Sequence, residues 1–307
     1  MRTDEQATAI RQYNVEPLRL SSTDEAEVHS TIVSLGITII FYLINAARSE
    51  GQVTMIKALG EVRRRRAAEV DAVHFLHTTG AKVFSSHAGA PTDRPLLDTD
   101  ANLYAVQKSQ RAPFPLMQGA VDTNNTVIEQ GELHGVRAYI FAPCIVYGRN
   151  EGFGNPISIQ TVAIVEAAKA VRRVYRVDEG RPSWPVCHVV DNATLYLALL
   201  RRILDDARQG GDEKDSQVLG YGKDGYYLAS SGSVAWNDLY AAMGKRLAEK
   251  NVIDDAEVVA ADDDALDKMA AALACPKDFV PVQLGGRYVS RVLTDRLVPL
   301  KSCASPH

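Results

Sequence analysis

Cysteine is scarce in this chain. Four cysteines occur among 307 residues, Cys144, Cys187, Cys275 and Cys303, and no two of them are close in sequence. This spacing does not fit the closely paired thiols of a zinc site or the disulfide frame of a small secreted domain. We therefore expect reduced thiols and a cytoplasmic protein.

Long hydrophobic runs and an excess of positive charge are also lacking. The most apolar stretch, residues 37–44, is much shorter than the ~20 residues that span a bilayer. Residues 1–16 are polar and charged, unlike a secretion signal. The formal net charge is -4, which gives no electrostatic basis for binding nucleic acid or an anionic membrane. We expect neither partner.

A third absence concerns glycine. No glycine-rich phosphate-binding turn lies between Met1 and Tyr104. Such a turn aims the N-terminus of a helix at a diphosphate. Its absence argues against an ordinary nucleotide grip in the first third of the chain.

What is present is an alternation of apolar strands and amphipathic helices. Strands are predicted at residues 15–20, 37–44, 82–86, 136–142, 173–177 and 225–229. Helices are predicted at residues 3–13, 24–33, 52–77, 104–112, 117–134, 159–170, 191–204 and 236–250. Strands separated by helices of this length predict an α/β fold, with a parallel sheet covered by helices on both faces.

Tyr104 and Lys108 form the most informative pair in the sequence. Their spacing of four residues puts both side chains on one face of a helix. An ammonium beside a phenol favours the ionised phenolate and lowers the pKa of the phenol. Tyr104 is therefore a candidate general acid or base, with Lys108 as its partner.

A metal site is not predicted. His74 and His77 have a spacing that a metal ion could use, but no third ligand follows at a fitting distance. Packing or surface roles are the simpler interpretation of these histidines.

The chain contains, in this order, the segments Asn45-Ala46-Ala47, Phe84-Ser85-Ser86, Tyr104 with Lys108, Pro143 to Gly148, and His188-Val189-Val190-Asp191. Taken together, these ordered motifs resemble the extended short-chain dehydrogenase/reductases, within them the NAD-dependent epimerase/dehydratase-like proteins of fungal type. The resemblance implies a Rossmann-like, doubly wound parallel sheet. Residues 1–150 would form an incomplete dinucleotide-binding domain, and residues 151–307 a smaller C-terminal substrate lobe with a returning strand.

The resemblance also implies roles for individual residues. Tyr104 and Lys108 would be the catalytic acid/base pair. The family's catalytic serine or threonine would fall on Ser86 or on His87, and a histidine there would depart from the family pattern. NAD or NADP would be bordered by Asn45, Ala46, Ser85, Pro143 and Ile145.

The resemblance further implies that the front end of the sheet is missing. Residues 1–15 resemble the family's second crossover helix, so the first strand, its glycine turn, the first helix and the second strand would be absent. Three explanations are open: an incomplete gene model or isoform, a protein whose sheet is repaired by a partner chain or by rearrangement of its own N-terminus, or a misreading of the N-terminal alignment. The strand at residues 37–44 would then expose an unpaired edge, through which a homodimer could form.

Two classes of function follow from these expectations. The first is an NAD(P)-dependent oxidoreductase or epimerase acting on a small oxygenated metabolite, or, without a dinucleotide, an isomerase, dehydratase or aldol-type enzyme on the same scaffold. The second is a non-catalytic relic that binds a ligand or a partner chain.

Overall fold

The computed structural model describes residues 3–67, 72–152, 154–208 and 219–288. The helices in these ranges are α1 (Asp4–Arg11), α2 (Glu25–Leu35), α3 (Glu50–Arg65), α4 (Leu103–Ser109), α5 (Pro115–His134), α6 (Ile159–Val171), α7 (Val189–Arg208), α8 (Trp236–Glu249), α9 (Asp263–Ala272) and α10 (Val280–Leu284). The strands are β1 (Ile39–Tyr42), β2 (His74–Thr78), β3 (Arg137–Pro143), β4 (Ile145–Tyr147), β5 (Tyr175–Arg176), β6 (Ser183–His188), β7 (Tyr226–Ala229), β8 (Gly232–Ala235) and β9 (Val259–Ala260).

Four parallel strands form the main sheet, in the order β1-β2-β3-β7. Its two faces belong to two separate hydrophobic clusters, because neighbouring residues of a strand point to opposite sides. On β2, Phe75 packs with α2, α3 and α5, whereas Leu76 packs with α7. On β3, Ile140 belongs to the same cluster as Phe75, and Phe141 belongs to the same cluster as Leu76. The expected α/β fold with helices on both faces is confirmed, and it is Rossmann-like.

Smaller sheets follow the main one. The strands β4, β6 and β8 form a second sheet, in which β4 and β6 are parallel and β8 is antiparallel to β6. The short strands β5 and β9 pair in parallel. Buried Trp184 of β6 and Trp236 of α8 lie with ring centroids 5.7 Å apart. These elements stand beside the carboxyl end of β3.

Local signals fixed several helix starts. Thr3 caps α1 by accepting a hydrogen bond from the Gln6 amide, 3.2 Å away, and Asp24 caps α2 through the Glu27 amide, 2.9 Å away. Pro115 occupies the first turn of α5, where its missing N–H costs no helical hydrogen bond. The predicted helices in these regions are confirmed.

Three sequence-based element assignments were wrong. No strand forms at residues 15–20, where Val15 and Leu18 are exposed. The helix predicted at residues 52–77 ends at Arg65, and the run His74–Thr78 is strand β2; residues 68–71 lie outside the described ranges. The strand predicted at residues 82–86 is instead a 3₁₀ turn, Ala81–Phe84. A short apolar run bounded by glycine fits a strand as well as the end of a helix.

The predicted unpaired edge is confirmed for β1. In the part of the chain that the structure describes, β1 pairs with β2 alone. Leu43 and Ile44, which follow β1, are 62% and 56% exposed. A homodimer through this edge stays a prediction.

None of the helices within the described ranges is both long and apolar enough to cross a membrane.

Candidate functional site

A cleft opens at the carboxyl ends of the parallel strands. Its volume is about 450 Å³, within the range of roughly 300–1,000 Å³ that is typical of small-molecule sites. Its lining residues come from the segments after β1, β2 and β3, from the first turns of α5 and α6, and from β6: Ile44, Asn45, Ala46, Ala47, Thr79, Gly80, Ala81, Lys82, Val83, Leu116, Met117, Ala120, Pro143, Cys144, Gln160 and Trp184. Ligands of open parallel sheets bind at this edge.

The loop after β1 is held in one conformation at the cleft. The Asn45 side-chain oxygen accepts a hydrogen bond from the Ala47 amide at 2.9 Å, and the buried Gln52 side chain donates to the Asn45 carbonyl at 2.7 Å. Gly119 lets α5 approach this loop, because a Cβ atom at that position would lie 2.8 Å from the Ala47 carbonyl oxygen. The backbone of Asn45 to Ala47 is therefore preorganised.

Lys82 is the one charged residue among those lining the cleft. Its side chain is partly buried, and burial lowers the pKa of Lys82 to about 8. Within the described ranges its ammonium makes no ion pair, and no carboxylate lines the cleft. An amine without a counter-charge in a largely apolar cleft loses its proton more easily than a solvated lysine does.

Thr78 and Thr79 follow one another at the carboxyl end of β2. The Thr78 hydroxyl bonds to the Tyr196 hydroxyl at 2.7 Å, on the α7 side of the sheet. The Thr79 amide donates to the Phe141 carbonyl at 2.9 Å. The Thr79 hydroxyl is buried and finds no hydrogen-bond partner among the described residues. It is therefore an unsatisfied polar atom in a residue of the cleft wall.

Ser85, Ser86 and His87 lie beyond the lining residues of the cleft. Ser85 is buried, donates to the Lys82 carbonyl at 2.7 Å, and accepts from the His87 amide at 3.2 Å. Ser86 accepts from the Arg287 amide at 3.1 Å. The His87 ring nitrogen Nε2 is 3.0 Å from the Gly285 carbonyl oxygen, and burial lowers the pKa of His87. The expectation that these residues follow a strand end is wrong, because β2 ends at Thr78.

The pair Tyr104 and Lys108 shares one face of α4, as its spacing predicts. The Tyr104 hydroxyl donates to Glu129 Oε1 at 2.8 Å, and the Lys108 ammonium pairs with the same oxygen. Glu129 lies on α5 far from the helix turns that border the cleft: the rise from Met117 is roughly 18 Å at 1.5 Å per residue. Lys223, just before β7, lies 5.5 Å from the centroid of the Tyr104 ring. The pair thus lies near the amino ends of the strands, at the end of the sheet opposite the cleft.

The expected tuning of the Tyr104 phenol is contradicted. Burial, together with the hydrogen bond to Glu129 and the negative charges of Glu129 and Glu132, raises the pKa of Tyr104 to about 12. The ammonium of Lys108 bonds to Glu129, so the carboxylate offsets its positive charge at the phenol. A catalytic role for the pair stays a prediction from the sequence.

Of the residues expected to border a cofactor, Asn45, Ala46 and Pro143 line the cleft. Ile145 is buried in β4 and is not among the lining residues, and neither is Ser85. No group of three or more histidine, cysteine, aspartate or glutamate side chains in the described ranges is placed to hold a metal ion.

Sequence reasoning missed Thr79, Lys82, Gln160 and Trp184. Thr79 and Lys82 were missed because the strand that the structure shows as β2 was predicted eight residues too late. A usable signal was present: the run Val73 to Thr78 contains aromatic and β-branched residues and stops before Gly80, which is typical of a short buried strand. Gln160 and Trp184 reach the cleft only through tertiary folding, for which the sequence offers no local signal.

Solved structures with a similar fold include dTDP-glucose 4,6-dehydratase from Bacillus anthracis in complex with NAD. It is 10% identical, with 91% of this chain and 80% of that chain covered, at a TM-score of 0.51. The PbgP3 protein from Burkholderia pseudomallei is 12% identical, with 97% of this chain and 84% of that chain covered, at a TM-score of 0.49. At 10% identity the likeness to the dehydratase shows the fold alone.

No curated protein gives a significant match to this sequence. The model of the NAD dependent epimerase/dehydratase family matches residues 2–210. This match spans more than half of the chain and includes the main-sheet strands β1 to β3, whose carboxyl ends form the cleft. The chain therefore belongs to the NAD-dependent epimerase/dehydratase family.

Proposed function

We propose that this protein is an NAD(P)-dependent oxidoreductase or epimerase that acts on a small oxygenated metabolite in the cleft. The observation that carries the proposal is the position of the cleft, at the carboxyl ends of three adjacent parallel strands in a chain of this family. Open parallel sheets bind dinucleotides at this edge. The fixed loop Asn45 to Ala47 supports it further.

The cleft fits the nicotinamide end of such a cofactor. Asn45, Ala46 and Pro143 would hold it, and the apolar side chains of Leu116 and Met117 suit an aromatic ring. A bound nicotinamide would supply or accept the hydride at a carbinol or carbonyl carbon. The lining contains Gly80 as its one glycine and Lys82 as its one cation, so it offers little to hold a diphosphate.

The chain's own residues would bind and orient the substrate. The Thr79 hydroxyl, buried without a partner within the described ranges, would gain a hydrogen bond from or to a substrate oxygen that reaches it. Lys82 would attract a polarised oxygen, and the apolar wall at Ala120 and Trp184 would exclude water around it.

A second candidate is chemistry without a dinucleotide, such as isomerisation, dehydration or an aldol-type step. Lys82 is the observation that favours it, since a lysine of low pKa at a ligand cleft can act directly on a carbonyl compound. This candidate needs no phosphate grip.

Titration with NADH and NADPH tests the proposed function. We expect nicotinamide fluorescence to change on binding, with a micromolar Kd for at least one of the two. Ala46→Trp fills the cleft mouth and is expected to weaken binding by at least about tenfold. The matched control is Ala242→Trp, which places the same side chain on the exposed face of α8 and is expected to leave the Kd unchanged.

Two results would contradict the proposal. One is the absence of binding by either dinucleotide up to millimolar concentration, which would favour the dinucleotide-independent candidate. The other is equal binding by the wild type and Ala46→Trp, which would place the dinucleotide outside the cleft.

A further inference from the structure

Lys82 occupies an unusual position for a lysine. Its neighbours Ala81 and Val83 are buried, while its own side chain lines the cleft. The titratable groups that approach it in the described ranges are the Cys144 thiol, which shares the cleft wall, and the His87 ring, which senses its charge. Burial raises the pKa of Cys144 and lowers that of His87, so both are neutral at pH 7.

The backbone that carries Lys82 is firmly held. The Val83 amide donates to the Gly80 carbonyl at 3.1 Å, and the Ser85 hydroxyl donates to the Lys82 carbonyl at 2.7 Å. The buried Gln110 side chain donates to the carbonyls of Val83 and Ala88, each at 2.9 Å. This support gives the 3₁₀ turn one conformation, so the amine is presented to the cleft from a rigid base.

We infer that the amine of Lys82 condenses with the carbonyl carbon of an aldehyde or ketone that enters the cleft, which makes the cleft a site of imine formation. The nitrogen lone pair attacks the carbonyl carbon, and one proton of the nitrogen passes to the carbonyl oxygen, which gives a neutral carbinolamine. Its hydroxyl takes up a proton from solvent and leaves as water, which gives the protonated imine. Return of the remaining nitrogen proton to solvent gives the neutral imine.

The surroundings of Lys82 favour the neutral, nucleophilic amine more than those of a solvated lysine do. An amine must be unprotonated to attack, and desolvation by a cleft wall rich in apolar side chains favours that form. With a pKa of about 8, roughly a tenth of the Lys82 side chains are neutral at pH 7, against less than one in a thousand for an ordinary lysine. The apolar wall of Leu116, Met117 and Ala120 suits a carbonyl compound with a short apolar body.

Reductive trapping tests the inference. The whole protein is treated briefly with butanal and sodium cyanoborohydride, which reduces an imine to a stable secondary amine, and each lysine is then quantified by peptide mass spectrometry. We expect Lys82 to be modified at pH 7 at least about tenfold faster than Lys245 and Lys250, which are exposed on or beside α8. Its rate should rise with a midpoint near pH 8.

Two variants keep the test independent of folding. Lys82→Met should lose the fast adduct without gaining one elsewhere, and Ala46→Trp, which leaves Lys82 in place, should slow its modification by narrowing the cleft. Modification of Lys82 no faster than that of Lys245, or a midpoint above pH 10, would overturn the inference.

The inference rests on the cleft and not on the dinucleotide. Fast trapping at Lys82 in a protein that binds neither NADH nor NADPH would support imine formation and contradict the proposed redox function. Dinucleotide binding together with slow modification of Lys82 would support the proposed redox function and contradict imine formation. If both occur, NADH should protect Lys82 from butanal because the two share the cleft.

Discussion

Replacing His77 by phenylalanine is expected to stabilise the protein, and to do so increasingly as the pH falls. His77 lies on β2, is 0% exposed, and neither ring nitrogen has a partner among the described residues. Burial lowers the pKa of His77 from 6.5 to about 4. Its ring stands 6.1 Å from that of Tyr42, so a phenyl ring fits the site with little change of volume.

The sign follows from proton binding. In the unfolded chain a histidine with a pKa of 6.5 takes up a proton as the pH falls below that value, whereas the folded protein keeps His77 neutral down to about pH 4. The contribution of neutral His77 to the free energy of unfolding is therefore fully present above pH 6.5. It is lost as the pH falls toward 4, and the total loss is about 3 kcal/mol. Below pH 4 the loss is complete.

The measurement is chemical denaturation of both proteins at pH 7.5 and pH 5. At pH 7.5 the variant should already be more stable by about 1–3 kcal/mol, because it removes two unsatisfied buried polar atoms. At pH 5 the difference should be larger by about 2 kcal/mol. A difference that stays constant between the two pH values would contradict the burial of a neutral imidazole.

His74 provides the comparison. Burial also lowers the pKa of His74 to about 4, but its Nδ1 atom lies 2.9 Å from the Tyr139 hydroxyl. The stability difference between His74→Phe and the wild type should therefore also increase at low pH. At pH 7.5 it should lack the stabilisation of His77→Phe, because the Tyr139 hydroxyl then loses a hydrogen-bond partner.

Replacing Lys82 by methionine is expected to stabilise the protein at neutral pH by about 3 kcal/mol, an effect that also disappears as the pH rises, but between pH 8 and 10.5 rather than between pH 4 and 6.5. Burial lowers the pKa of Lys82 from 10.5 to about 8, so below pH 8 the folded state carries a poorly solvated charge that the unfolded chain solvates well. As the pH rises from 8 to 10.5, the folded state has already lost that proton, and the destabilisation disappears. Methionine keeps the length of the side chain without the charge.

Denaturant unfolding at pH 7 and pH 10.5 measures this effect. The variant should exceed the wild type in free energy of unfolding at pH 7, and the two should converge at pH 10.5. Lys245→Met, at an exposed position, is the control and should change stability by less than about 0.5 kcal/mol. Equal stability of wild type and Lys82→Met at pH 7 would show that the amine is fully solvated.

Much of the fold was predictable because its signals are local. The apolar run around Ile39–Tyr42, the run Arg137–Pro143, and the caps Thr3 and Asp24 each act within a few residues. Helices between such strands lead to a parallel sheet by general rules of chain connection. The unpaired edge of β1 followed from the resemblance to a family whose sheet continues there.

The candidate site was predictable only in part. Asn45, Ala46 and Pro143 were identified because they follow strands that were placed correctly. Thr79 and Lys82 were missed because β2 was read as the end of a helix, which moved the expected strand end to Ser85 and Ser86. Tyr104 was assigned a lowered pKa because Glu129, which reverses the shift, reaches the phenol only through the packing of α5 against α4.

Hydrogen–deuterium exchange with and without saturating NADH or NADPH tests most directly whether the carboxyl edge of the sheet is the functional site. We expect protection of peptides that contain residues 43–48, 79–83 and 116–120, with no change in those that contain residues 103–109 or 129–132. Protection confined to the peptides around Tyr104 and Glu129 would contradict the assignment of function to the cleft, and no protection anywhere would contradict dinucleotide binding there.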